Sequence, residues 1–135
     1  YGRSDATLNS GGIRIGTAEI YRVVENIENI EECLATEHNI ENDTEVILFI
    51  KMKKNSILDQ NVKLKIVNEI RNKLSPKHIP SKMFQVIDIP KTKSGKIVEL
   101  SIKNIINGKK VENIEVLANP NCLEDYKKIY KLINI

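Results

Sequence analysis

The sequence predicts an α+β domain, built as a small, mainly antiparallel three-stranded sheet flanked by helices and preceded by a two-stranded hairpin. Three observations predict it. Two strand-like runs, Ile30–Glu37 and Thr44–Met52, follow one another with no long crossover between them. Apolar residues recur at helical spacing in segments of unequal length around those runs. Near the start, Gly11-Gly12 is a pair free to take positive φ, and short arms flank it.

Taken in order, Thr7–Ser10 and Ile13–Ile15 are the arms of the hairpin. Thr17 is placed to cap a helix in which Glu19 favours the positive end of the dipole and Ile20, Val23, Val24 and Ile27 share a face. Cys33 and Ala35 alternate in the first sheet strand, a polar loop is expected over Glu37–Asp43, and Thr44–Met52 reads as central and covered on both faces. Asp59 caps a long helix carrying Val62, Ile66, Ile70 and Leu74, with Lys63, Glu69 and Lys73 facing solvent and Ser75-Pro76 ending it. Met83–Ile89 alternates as a third strand and Pro90 closes it. A loop over Lys91–Lys96, a short helix at Ser101–Ile106, a turn at Asn107-Gly108 and a closing helix at Leu123–Leu132 complete the chain.

A length of 135 residues is that of one domain, and 41% apolar against 29% charged residues suffices for a core. The longest apolar run, Val46–Ile50, falls far short of the roughly 20 residues of a membrane span. No secretion signal is visible, and Cys33 and Cys122 stand far apart, so a reducing, cytoplasmic setting is expected and zinc patterns are excluded. A net charge of +3 with interleaved signs, and only four Tyr and two Phe, argue against nucleic acid as a partner, even for Lys51, Lys53, Lys54, Lys91 and Lys93. The opening Tyr1-Gly2-Arg3-Ser4-Asp5 reads as interior sequence, so an excised or truncated domain is expected.

Most catalytic templates are absent, and His38 and His78 are expected on the surface or in loops. Pro90-Lys91-Thr92-Lys93-Ser94-Gly95-Lys96 lacks the upstream glycine and the trailing Ser/Thr of a phosphate loop. Its glycine exposes Lys96, a long point charge suited to an incoming phosphate or carboxylate, although a solvated basic turn would read the same. Arg3 and Arg14, beside the glycine hairpin, have the planar fork that holds phosphate oxygens or hydroxyls. A purely structural or partner-binding domain remains a reading of these residues by themselves.

Tyr1-Gly2-Arg3-Ser4-Asp5, the string Ser10-Gly11-Gly12-Ile13-Arg14-Ile15-Gly16-Thr17-Ala18-Glu19-Ile20 and the Pro90–Lys96 segment, in that order and separation, resemble the C-terminal domain of the acyl-adenylate-forming enzymes, the acyl-CoA synthetase superfamily. Ile106-Asn107-Gly108-Lys109-Lys110-Val111 and Leu117-Ala118-Asn119-Pro120 resemble its acetoacetyl-CoA synthetase branch; an acetyl-CoA or propionyl-CoA synthetase is the alternative. The resemblance implies a reaction in two halves. A carboxylate displaces pyrophosphate from ATP to give an acyl-adenylate, and the CoA thiol then displaces AMP. The substrates implied are ATP with Mg2+, a short-chain acid and CoA, with no prosthetic group, and the partner implied is a larger N-terminal domain that binds most of them.

On the same resemblance, residues 1–135 would be a rotating lid and residues 1–5 its hinge segment. Lys96 would be the catalytic lysine at the carboxylate and α-phosphate. Asp5 would be the hinge residue. Arg3 and Arg14 would contact ATP at ribose and phosphates. Gly11 and Gly12 would line the path of the pantetheine arm, and Arg71 would meet the CoA nucleotide unless it is simply a solvated helix arginine. Family members undergo lysine acetylation, so an acetyltransferase and a deacetylase acting on Lys96 are implied partners. After Gly95-Lys96 the sequence departs from the basic pair common in the family and runs Ile97-Val98-Glu99-Leu100. Alone, the chain is expected to be inactive.

Overall fold

The computed structural model describes residues 7–133. The N-terminal hairpin pairs β1 (Thr7–Ser10) with β2 (Ile13–Gly16) in antiparallel register, Leu8 opposite Ile15 and Asn9 opposite Arg14. Its two-residue turn puts Gly11 at φ +55° and Gly12 at φ +87°, the mirror-image geometry whose twist matches that of the strands. Helix α1 (Thr17–Val24) follows at once. Thr17 does not cap it: Gly16 holds the N-cap position in extended backbone, while Thr17 is the first helical residue and is buried.

Strands β3 (Ile30–Ile40) and β4 (Asp43–Met52) form a long antiparallel ladder from Ile30 opposite Met52 to Ile40 opposite Asp43. The polar loop expected over Glu37–Asp43 is therefore mostly strand, with a tight turn at Glu41, φ +36°. Polarity misleads here because the side chains find partners across the ladder. His38, buried and not in a loop as expected, sits 2.7 Å by Nδ1 from Glu45 Oε2, and the Glu45 carboxylate also accepts from Lys82 Nζ. Strand β5 (Lys82–Gln85) joins β4 in parallel, giving the order β3-β4-β5. It is shorter than the alternation predicts, because after Val86 N donates to Ile50 O the chain leaves the sheet.

Central β4 separates two apolar cores. Val46, Leu48 and Ile50 pack with Ile20, Val24, Ile66 and Ile70 of α1 and α2 (Gln60–Lys73), while Ile47 and Phe49 pack with Ile102, Ile106, Tyr126 and Ile129 of α3 (Glu99–Ile106) and α4 (Leu123–Ile133). The period-2 alternation of one strand thus feeds both faces. Asp59 caps α2 as expected, its Oδ1 accepting from Val62 N at 2.9 Å. Among the described residues no helix is long and apolar enough to cross a membrane.

Candidate functional site

Lys96 stands on a built turn. Lys91 pairs with Ile97 across it, Thr92 N donates to Lys96 O at 2.8 Å, and Gly95 N donates to Thr92 O at 2.9 Å. The Thr92 hydroxyl sits inside, accepting from Lys96 N at 3.1 Å and sharing a hydrogen bond with Ser94 Oγ. Gly95 adopts φ +93°, a conformation that a β-carbon would strain. The backbone is pinned, yet the Lys96 side chain is exposed and its ammonium has no ion pair among the described residues. The lysines of the turn divide their roles: Lys91 Nζ is held at 2.6 Å by Glu32 Oε1 of β3, while Lys93 and Lys96 are exposed.

Beside Lys96 lies a groove of about 420 Å³, lined by Leu8, Ala35, Ile97, Val98 and Leu100, with Glu37, Glu99 and Lys103 among its polar groups. Glu37 accepts from Asn9 N at 2.9 Å and lies 3.7 Å from Lys103 Nζ. Glu99, the first residue of α3, accepts from the Tyr21 hydroxyl. Burial, then the charge of Glu99, pushes the Tyr21 phenol far above its ordinary value, so it remains a proton donor. The groove's own carboxyl groups are thus occupied by the fold, which leaves at the rim of an apolar cleft a cation with no ion pair among the described residues, an arrangement that attracts an external anion.

The other sequence-predicted residues lie elsewhere. Arg14 is exposed on β2 and does not line the groove. The Gly11-Gly12 turn lies three residues beyond Leu8, roughly 10 Å along a strand, against the 3-10 turn Pro76–His78, where a β-carbon on Gly11 would stand 4.0 Å from Lys77 Nζ. Arg71, in the last turn of α2, is exposed and donates to Asn68 Oδ1 at 3.3 Å. Arg3 and Asp5 lie outside the described residues. Of the candidate residues described, Lys96 alone lines the groove, Gly11 and Gly12 form the hairpin tip near Lys77 with Arg14 beside them on β2, and Arg71 ends α2. Among the described residues no group of three or more His, Cys, Asp or Glu side chains could hold a metal ion.

No protein-family model matches the chain. Individual proteins do. Over 132 residues, 98% of its length, it is 46% identical to the acetoacetyl-coenzyme A synthetase of Rhizobium meliloti, and over 127 residues it is 47% identical to the acetoacetyl-CoA synthetase of Caenorhabditis elegans. It superposes on the solved acetoacetyl-CoA synthetase from Streptomyces lividans with a TM-score of 0.82 at 30% identity, over 96% of this chain and 20% of that one. The chain belongs to the acyl-CoA synthetase superfamily. It spans only 20% and 18% of the two curated relatives. An acyl-CoA synthetase from Brucella canis shares the fold at TM-score 0.63 and 23% identity, over 71% of this chain and 18% of that one.

Sequence reasoning missed three residues that hold the segment around Lys96. Tyr21 read only as part of an amphipathic helix, and Asn119 only as part of a branch-like tail. Thr92 read as a generic polar loop residue, although a hydroxyl four positions before the lysine is the spacing that closes the turn.

Proposed function

We propose that residues 1–135 form the C-terminal lid domain of an AMP-forming acetoacetyl-CoA synthetase, with residues 1–5 as the hinge to a larger N-terminal domain. Lys96 carries this reading. Its exposed ammonium, on a backbone-pinned turn at the mouth of an apolar groove, is free to enter another domain's active site. There it would bridge the acid's carboxylate and the α-phosphate of ATP, neutralising charge as pyrophosphate leaves. Mg2+ enters as part of the ATP substrate. Arg14 on β2 and Arg3 in the hinge would hold the nucleotide's phosphates and ribose.

Thioester formation would use the other place. The hairpin tip, without side chains at Gly11 and Gly12, leaves room for the pantetheine arm, and Arg71 and Lys77 supply positive charge for the CoA phosphates. Two sites apart on one rigid domain call for a rotation between the half-reactions, with Asp5 as the pivot. Acetylation of Lys96 by a lysine acetyltransferase, reversed by a deacetylase, would remove the charge on which adenylation depends.

The test is ATP–pyrophosphate exchange by the full-length enzyme with acetoacetate, acetate and propionate, comparing wild type with Lys96→Ala. Exchange driven by acetoacetate and lost in Lys96→Ala is the expected result. Lysine-dependent exchange with another acid would move the enzyme to a different short-chain branch, and exchange indifferent to Lys96 would overturn the lid mechanism.

A further inference from the structure

The tail singled out by the sequence, Leu117-Ala118-Asn119-Pro120, lies against the stem of the Lys96 turn. Leu117 forms a β-bridge with Thr92, Ala118 N donates to Lys91 O at 2.8 Å, and Asn119 Oδ1 accepts from Lys91 N at 2.9 Å. Both backbone groups of Lys91 are thereby taken by two consecutive tail residues. The Asn119 amide nitrogen donates twice more, to Asp88 Oδ2 at 2.9 Å and to Ile89 O at 2.8 Å. One half-buried side chain thus ties the segment leading into the turn at three points. Asp88 in turn accepts from Lys51 Nζ at 3.0 Å, which anchors the assembly to β4.

We propose that Asn119 is a positioning residue for Lys96. It acts through the stem and touches no substrate, and the inference rests on the role given to Lys96 above. Only an amide fits the three contacts, with one acceptor and two donors on the same planar group. Aspartate has the same shape but loses both donors and sets a second carboxylate against Asp88. The stem then loses its fixed position, and with it the ammonium five residues from Lys91. A displacement of about 1 Å at a reacting group costs up to about a hundredfold in rate. Thioester formation, which does not use Lys96 on this reading, is spared.

The experiment measures both half-reactions in the full-length enzyme: acetoacetate-dependent pyrophosphate exchange, and CoA thioester formation from supplied acyl-adenylate. Asn119→Asp is compared with Lys96→Ala and with Leu123→Ala, which loosens the same tail in the core without touching the three hydrogen bonds. Exchange reduced by at least about tenfold in Asn119→Asp, with acyl transfer within about threefold of wild type, is the expected result. In Leu123→Ala the ratio of the two rates should stay at the wild-type value. Parallel loss of both half-reactions in Asn119→Asp, or an equal change of ratio in Leu123→Ala, would reduce Asn119 to a structural residue and overturn the inference. If Asn119→Asp does not fold, Asn119→Ser, smaller and still a donor, carries the same comparison. Exchange lost in Lys96→Ala but unchanged in Asn119→Asp defeats this inference alone; exchange unchanged in Lys96→Ala defeats the lid reading beneath it.

Discussion

The hydroxyl of Tyr21, on α1, donates to the carboxyl group of Glu99, 78 positions along the chain at the start of α3, and accepts from Ala35 N at 3.0 Å. This one side chain reaches from the core beneath α1 to the helix that begins three residues after Lys96. Removing its oxygen leaves the buried Ala35 N–H without this acceptor and takes one hydrogen-bond donor from half-buried Glu99. Tyr21→Phe should therefore lower stability by about 1–3 kcal/mol. Urea unfolding checks this, and a loss indistinguishable from zero would mean that water replaces the hydroxyl.

Lys96→Ala is expected to leave stability within about 0.5 kcal/mol of wild type, because the side chain is exposed and pairs with nothing among the described residues. Thermal unfolding of the variant, run beside the exchange assay, separates a lost catalytic charge from a damaged fold. A large drop in melting temperature would contradict the geometry described for the turn.

Gly12 sits at φ +87° with nothing within 4 Å of a would-be β-carbon, so substitution there meets backbone strain but no clash inside the domain. Gly12→Leu should destabilise by about 1 kcal/mol and slow thioester formation while leaving pyrophosphate exchange near wild type. Equal slowing of both half-reactions would remove the hairpin tip from the CoA path.

Burial by itself would raise the Asp88 carboxyl, but hydrogen bonds from Asn119, Lys51 and Ile89 N hold it below its ordinary 3.8. A depressed folded value means that this stabilisation is fully present above the unfolded value and disappears as pH falls through the folded one. Unfolding free energy measured from pH 6 downward should therefore fall on the acid side of about pH 4. Asp88→Asn should flatten that acid arm, and an unchanged pH profile would show that Asp88 does not contribute to it.

Burial, reinforced by the charges of Asp88 and Asp125, pushes the Cys122 thiol up to about 11. At pH 8 almost none of it is thiolate, so alkylation of the native chain should run at least about a hundredfold slower than alkylation of the urea-unfolded chain. Comparable rates would show that the tail around Cys122 opens readily.

Legibility followed the range of the interactions. The hairpin could be read because Gly11-Gly12 encodes a local conformation, and α2 because Asp59, its apolar spacing and Pro76 act within a few residues of one another. Lys96 could be read because a glycine-lysine turn carries its own exposure. The extent of β3 and β5 could not, since Glu37 and His38 look like loop residues until Asn9, Lys103 and Glu45 come across to meet them. Asn119 was hidden for the same reason: its partners lie about thirty positions away, and an asparagine before proline reads as a turn.

The sequence by itself determined where most of the helices and strands lie and which residues resemble those of an adenylate-forming lid, because these rest on local propensity, periodicity and motif spacing. Tertiary structure alone decided that β5 runs parallel to β4 and that, of the lysines of one turn, Lys91 is anchored while Lys93 and Lys96 are exposed. It also decided that Tyr21 and Asn119 hold the two ends of the segment bearing Lys96. Hydrogen bonds and ion pairs between distant residues have no spacing rule in the chain. They exist only once two apolar cores on either side of β4 have brought their ends together.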